Sequence, residues 1–282
     1  MIAQLTAALL AAMAPAQQAD TTFAVEAGGR LEVSQIEGMI SVTAWDRAEM
    51  RVIADYDEDD GRLDIRESSG TVHVSAKGEW GEPVYAEFEI TVPRGMALEF
   101  AGASLEVDIE GASGDVSVST AEGSITLGGG SGNVGLNAVD GDITVIGASG
   151  KIAINAVDGD VSVTESNGAI ALTAVDGDVT LESITSDNIS VNAVDGDITY
   201  EGTITDGGRY VLSTHDGDLY VTIPDGSNAR ISIDTFSGDL DTDFPVELEG
   251  DFGKKRISFT VGTGKALVEL SAFDGTISLK QQ

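Results

Sequence analysis

Five Asp-Gly-Asp turns, Asp140-Gly141-Asp142, Asp158-Gly159-Asp160, Asp176-Gly177-Asp178, Asp195-Gly196-Asp197 and Asp216-Gly217-Asp218, are the residues of this sequence best placed for chemistry. Two carboxylates flanking a glycine, repeated at short intervals, supply the oxygen-rich surroundings that a hard cation such as Ca²⁺ prefers. The other reading is a solvated corner, in which glycine supplies a positive φ and aspartate caps neighbouring amides. Calcium-binding nonapeptide rolls use paired glycines and an aspartate two places before the strand aliphatic. Here a single glycine separates aspartates one and three places before it, so the corner reading is adopted and Ca²⁺ is kept as the alternative.

Other reactive groups are sparse. His73 and His215 are the only histidines, and neither has a second histidine nearby in sequence. Ser213-Thr214-His215-Asp216 holds the residue types of a hydrolytic triad, but triads are built from spatial roles, not adjacency. The absence of cysteine removes thiol catalysis, disulfides and Cys-ligated metals. With 15 Lys+Arg against 48 Asp+Glu, the net charge of −33 opposes binding to nucleic acid or to anionic membranes. Between Gly95 and Gly208 a single base, Lys151, faces 19 acids, a poor setting for neutralising an acidic sugar as polysaccharide lyases do. Paired carboxylates for glycoside hydrolysis abound, but an active site needs one distinctive pair rather than a series. Trp45 and Trp80 are the remaining platforms for a sugar, and buried structural roles are expected for both. Gly128-Gly129-Gly130 and Gly262-Thr263-Gly264 do not open helices and read as corners rather than phosphate loops. No catalytic, cofactor or metal residue is assigned.

The elements that must carry these turns follow from the repeat. The segment from Asn137 to Val145 recurs as Asn155 to Val163, Thr173 to Leu181, Asn192 to Tyr200 and, in altered form, Ser213 to Val221, at spacings of 18, 18, 19 and 21. Weaker units lie between, so glycines fall at 114, 123, 132, 141, 150, 159, 168 and 177. Each nine-residue unit has alternating aliphatic residues followed by a turn, the pattern of a short strand with one buried face. An antiparallel meander would explain strands every nine residues. It would not explain identity at 18, which a solenoid with two strands per coil requires because equivalent residues stack at about 4.8 Å. Val139, Val157, Val175 and Val194 then form an apolar file, and Asn137, Asn155, Thr173 and Asn192 a polar ladder. An extra residue near Ser186 and three within 201–209 read as corner bulges. No aromatic residue occurs from Ala101 to Thr199, so the coil is expected to be thin.

The sequence therefore predicts an all-β protein, a parallel β-helix or β-solenoid with nine-residue units and an 18-residue period. Residues 17–282 are read as one elongated domain: 20–100 an N-terminal β cap or layer, 101–221 the regular repeats, 222–282 the C-terminal coils and cap. Residues 1–16, uncharged and ending Ala14-Pro15-Ala16, read as a secretory signal peptide, which places the mature chain in the periplasm or outside the cell. No second apolar run is long enough to span a bilayer, and no cysteine is present for a lipid anchor.

Several motifs in order resemble one known family. They are Ile40-Ser41-Val42-Thr43-Ala44-Trp45-Asp46, Val92-Pro93-Arg94-Gly95 with Leu98, the serial Gly-Asp-Ile/Val units, Ile223-Pro224-Asp225-Gly226-Ser227 leading into Thr235-Phe236-Ser237-Gly238-Asp239, and the closing Gly262-Thr263-Gly264 and Asp274-Gly275-Thr276-Ile277. Nearly the whole mature chain resembles the bacterial "putative adhesin" family of β-strand-repeat proteins. The resemblance implies a right-handed parallel β-helix-like fold and an adhesin-like role, and it carries over no catalytic residue. Together these readings point to a non-enzymatic secreted module, adhesin-like or structural, with an acidic face suited to a basic envelope or surface protein. A Ca²⁺-dependent repeat protein and a carbohydrate-active β-helix enzyme are the alternatives.

Overall fold

The computed structural model describes residues 18–26, 28–56, 61–78, 80–246 and 255–282. The segment read as a signal peptide lies outside them. All regular structure in the described residues is β, in 26 strands. A typical coil runs through Asn133–Asp140, turns at Gly141-Asp142, continues through Ile143–Ile146 and turns again before Lys151–Asp158. The next coil stacks on it in parallel with an offset of 18, Asn137 opposite Asn155 and Ile143 opposite Val161. Two long ladders of strands result, one on each side of a narrow core, as the 18-residue period requires.

Alternation along each strand decides which side chains enter the core. In this coil Val134, Leu136, Ile143 and Val145 point inward and are at most 1% exposed. Each such burial contributes about 1.5–3 kcal/mol. The apolar side chains buried between Ala101 and Thr199 are all aliphatic, whereas Phe88, Phe100, Tyr200 and Tyr210 are buried on either side of them. Tyr200 and Tyr210 sit where the coil widens, their ring centroids 6.0 Å apart. The inserted residues fall at corners. One extra residue enters between the Asn167–Thr185 bridge, offset by 18, and the Ile170–Ile189 pair, offset by 19. The others occupy the turn between Ile198–Gly202 and Arg209–Asp216. Both tyrosine hydroxyls serve these corners: Tyr200 donates to the Thr203 carbonyl (3.0 Å), and Tyr210 donates to the Ser186 carbonyl (2.6 Å) while accepting from the Thr205 amide (2.8 Å).

The two ends depart from sequential stacking. At the N-terminal end, Arg30–Ser34 and Glu37–Trp45 are inserted between the later strands Thr71–Gly78 and Tyr85–Pro93 on one side and Ala97–Ala101 and Ser104–Ala112 on the other. At the opposite end the final strands Ala266–Asp274 and Ile277–Gln281 stack directly on Arg209–Asp216 and Leu219–Ile223. Ala229–Thr235 and Leu240–Thr242 are thereby pushed outward. Antiparallel strands close both ends: Gln18–Ala24, Glu49–Tyr56 and Gly61–Ser68 at one, Lys255–Val261 at the other. Terminal units of a different kind are what a stacked repeat needs, since each coil otherwise leaves its core and strand edges open.

Candidate functional site

The Asp-Gly-Asp turns form one corner of the solenoid, and its construction begins with the glycine. Gly141, Gly159, Gly177 and Gly196 have φ between +124° and +137°. A Cβ at Gly159 would lie 2.6 Å from the Gly141 carbonyl oxygen, and one at Gly177 would lie 2.4 Å from that of Gly159. Each glycine is thus fixed twice, by its own backbone conformation and by the coil beneath it.

The two aspartates of each turn have different roles. The one after the glycine caps the next coil: Asp142 accepts from the Asp160 amide (2.9 Å), Asp160 from Asp178 (2.9 Å), Asp178 from Asp197 (2.9 Å) and Asp197 from Asp218 (2.7 Å). Asp218 continues the series to the Thr276 amide at 2.6 Å. These five carboxylates are structural acceptors, satisfying amides that would otherwise point along the stacking axis. The aspartate before the glycine does none of this. Asp140, Asp158, Asp176, Asp195, Asp216 and Asp274 stack in register, all exposed, and none makes a side-chain hydrogen bond or ion pair among the described residues. Among the described residues no group of three His, Cys, Asp or Glu side chains is placed to hold a metal ion.

Beside the free carboxylates runs an exposed apolar strip. The file Val139, Val157, Val175 and Val194 faces solvent, 41–51% exposed, because each valine follows an inward alanine at the strand end, as Val139 follows Ala138. His215 extends it and Phe273 and Phe236 complete it, with His215 and Phe273 stacked at 4.6 Å and Phe273 and Phe236 at 4.7 Å, within 6° of parallel. The phenylalanines are 45% and 44% exposed. Two residues back along the strands lies the expected polar ladder, in which Asn155 donates to Asn137 (2.8 Å) and Asn137 to Ser119 (3.2 Å). The corner therefore presents three parallel tracks: neutral amides, apolar side chains and unpaired carboxylates.

The remaining sequence candidates do not assemble. His73 pairs with Glu32 at 2.7 Å on the outer face of the N-terminal strands. In the Ser213-Thr214-His215-Asp216 string, Thr214 points inward and donates to the Gly196 carbonyl (3.1 Å), while the His215 ring lies against Phe273. The expectation that both tryptophans are buried is corrected for Trp80, which is 87% exposed at a turn. Trp45 is partly buried, donating to the Glu49 carbonyl (2.8 Å) beneath the Arg47 guanidinium. Alignment of the altered Ser213 to Val221 unit with the other copies puts His215 at the valine position, but nothing in that alignment drew in the two phenylalanines. The signal was present in Phe236-Ser237-Gly238-Asp239 and Phe273-Asp274-Gly275-Thr276, which align with Val139-Asp140-Gly141-Asp142.

The family model described as Toastrack DUF4097 matches residues 29–280. Solved structures that align with the chain include a "putative cell adhesion protein" from Clostridium sporogenes, 11% identical, covering 94% of this chain and 100% of that one with a TM-score of 0.25. A "putative adhesin" from Parabacteroides distasonis is 12% identical, with 94% and 98% coverage and a TM-score of 0.39. A "putative lipid binding protein" from the same organism is 12% identical, with 94% and 97% coverage and a TM-score of 0.38. No curated protein matches the sequence. The chain forms a stacked two-ladder solenoid, the family model spans almost all of it, and the chain belongs to the Toastrack DUF4097 family.

Proposed function

We propose that this protein is a non-enzymatic binding module of the bacterial cell envelope, adhesin-like or structural, which holds a partner against the acidic corner of its solenoid. The observation that carries the reading is the division of labour between the two aspartate files. One file caps amides and is explained by the fold, whereas the other leaves six stacked carboxylates unpaired among the described residues, beside exposed apolar side chains. Like charges about 5 Å apart repel by about 1 kcal/mol per pair in water, so the second file lowers stability and is accounted for by something it meets. A partner with a basic surface relieves that repulsion on binding. The series of identical turns suits display along a surface rather than one reacting centre.

The envelope location rests on residues 1–16 and their Ala14-Pro15-Ala16 ending. Among the described residues no helix is long and apolar enough to cross a membrane. The test is expression of the full chain with a photo-crosslinking amino acid at Asp176, followed by fractionation and mass spectrometry. The expected result is an envelope protein lacking about the first 16 residues and crosslinked to a partner with a basic surface. A cytoplasmic protein with its first residues intact, or an envelope protein with no crosslinked partner, overturns the proposal.

A further inference from the structure

We infer that the strip from Val139 to Phe236 is a docking track for a cationic amphipathic helix of a partner protein, seated with its basic flank over the free carboxylates. The inference rests on the binding-module reading and names the chemistry of what that module binds.

Dimensions come first. Coils stack about 4.8 Å apart, so the six steps from Val139 through Val157, Val175, Val194, His215 and Phe273 to Phe236 span about 29 Å. A helix covers that length in about 19 residues. One turn of helix rises 5.4 Å, so an apolar stripe at i, i+3, i+4 and i+7 meets the strip nearly turn for rung. The fit in period favours a helix: on an extended strand, same-face side chains recur only every 6.6–6.8 Å.

Charge selects the occupant. A second copy of this chain would set its own carboxylate file and a net charge of −33 against the same charges. An anionic membrane is opposed for the same reason. The carboxylates Asp140, Asp158, Asp176, Asp195, Asp216 and Asp274 have no cationic partner within the described residues, so Lys or Arg at matching positions pairs with them without breaking an existing bond. The opposite flank is the neutral ladder of Asn137 and Asn155. The bound helix is therefore asymmetric, basic on one side of its apolar stripe and neutral polar on the other, which fixes its direction along the track.

The aromatic end supplies an anchor. Beside Phe236 and Phe273 lies an open cleft of about 630 Å³, lined also by Asp234 and Arg256, which form an ion pair (2.6 Å). It admits one large apolar side chain from the end of the helix. Aromatic anchors of this kind carry a disproportionate share of binding energy in protein interfaces.

The probe is a synthetic 20-residue helical peptide with leucines at i, i+3, i+4 and i+7 spacing, lysines along one flank, glutamines along the other and a terminal tryptophan. A scrambled peptide of equal composition and charge is the control, and affinities are read by fluorescence anisotropy. The expected result is at least tenfold tighter binding of the striped peptide. The double variant Val157→Thr, Val175→Thr, which keeps the β-branched shape, should reduce that preference at least fivefold with an unchanged melting curve, as should Phe273→Ser. Asp158→Asn with Asp176→Asn should flatten the salt dependence while Val157→Thr does not. Equal binding of the scrambled peptide, or striped binding indifferent to the strip variants, overturns the inference. Flotation with phosphatidylcholine vesicles, or self-association abolished by the strip variants, overturns it in favour of a membrane or a second copy. If photo-crosslinking at Asp176 captures a partner that the strip variants still bind, the track fails and the binding-module reading stands. If nothing is captured and no peptide binds, both fail.

Discussion

Replacing Gly159 by alanine tests whether the corner is built by stacking or by local turn chemistry. Gly159 has φ +130°, and a Cβ there would lie 2.6 Å from the Gly141 carbonyl oxygen and 2.7 Å from its carbon. Two costs combine. Backbone strain for a non-glycine residue in such a region is about 1–3 kcal/mol. Forcing a methyl group against backbone held in two hydrogen-bonded ladders adds about 1–3 kcal/mol, as overpacking does in a rigid core. The sum centres on about 4 kcal/mol. Gly147 is the internal control, with φ +68° and nothing within 4 Å of its added Cβ. Gly147→Ala should therefore cost only the left-handed penalty of about 1–2 kcal/mol. Urea unfolding followed by circular dichroism gives both values. With a slope of about 2 kcal/mol per molar urea, the two midpoints should differ by about 1 M. Because each coil contacts only its neighbours, amide exchange should speed up most in the coils flanking Gly159. Equal midpoints for the two variants would refute the claim that close approach between coils, rather than turn conformation, makes the glycine file necessary.

Further outcomes follow from the same corner and from the buried tyrosines. Asp160→Ala, which leaves the Asp178 amide without its acceptor, should cost about 1 kcal/mol in urea unfolding. Asp158→Ala, which removes one free like charge, should be neutral or stabilising, and more so at low salt. Melting temperature should be the same in EDTA and in millimolar Ca²⁺ at matched ionic strength, since five aspartates of the turns are committed to amides. A calcium-specific rise would show that the free file gathers ligands. Burial holds the Tyr200 phenol neutral well above the usual tyrosine range, whereas the unfolded residue ionises at 10.0. Its contribution is thus complete below pH 10 and is lost as pH rises beyond, by up to about 1.4 kcal/mol per pH unit. Urea midpoints from pH 9 to 11 should show Tyr200→Phe with a shallower alkaline decline than the parent; parallel declines would refute this.

The periodic part of the fold was legible because it is dictated by local rules. Alternating aliphatic residues specify strands with one buried face, Gly and Asp specify the corners, and identity at 18 specifies two strands per coil. The asparagine ladder and both aspartate files could be written down from spacing alone. Their roles could not. Asp140 and Asp142 are the same residue type two positions apart. Only the direction in which each leaves the turn makes one a cap and the other a free carboxylate. The valine file was visible too, but a strand-end residue can face inward or outward, and alternation past Ala138 put it in solvent. Trp80 was misjudged for a related reason, because a large aromatic in a turn has no ladder to fix its side.

What the sequence by itself determined was the coil: its strands, its 18-residue repeat, its aliphatic core and its acidic corner. The order of the coils was decided only by tertiary structure. By sequence, Phe236 should follow His215 and Phe273 should come last, yet Ala266–Asp274 inserts between them and places Phe273 at the centre of the ring stack. Arg30–Ser34 is likewise enclosed by strands that follow it in sequence. Similar coils present nearly interchangeable edges, so local pattern cannot say which edge meets which. The choice falls to the end that must be closed, where Lys255–Val261 pairs antiparallel with Ala229–Thr235 and makes that coil the outer one.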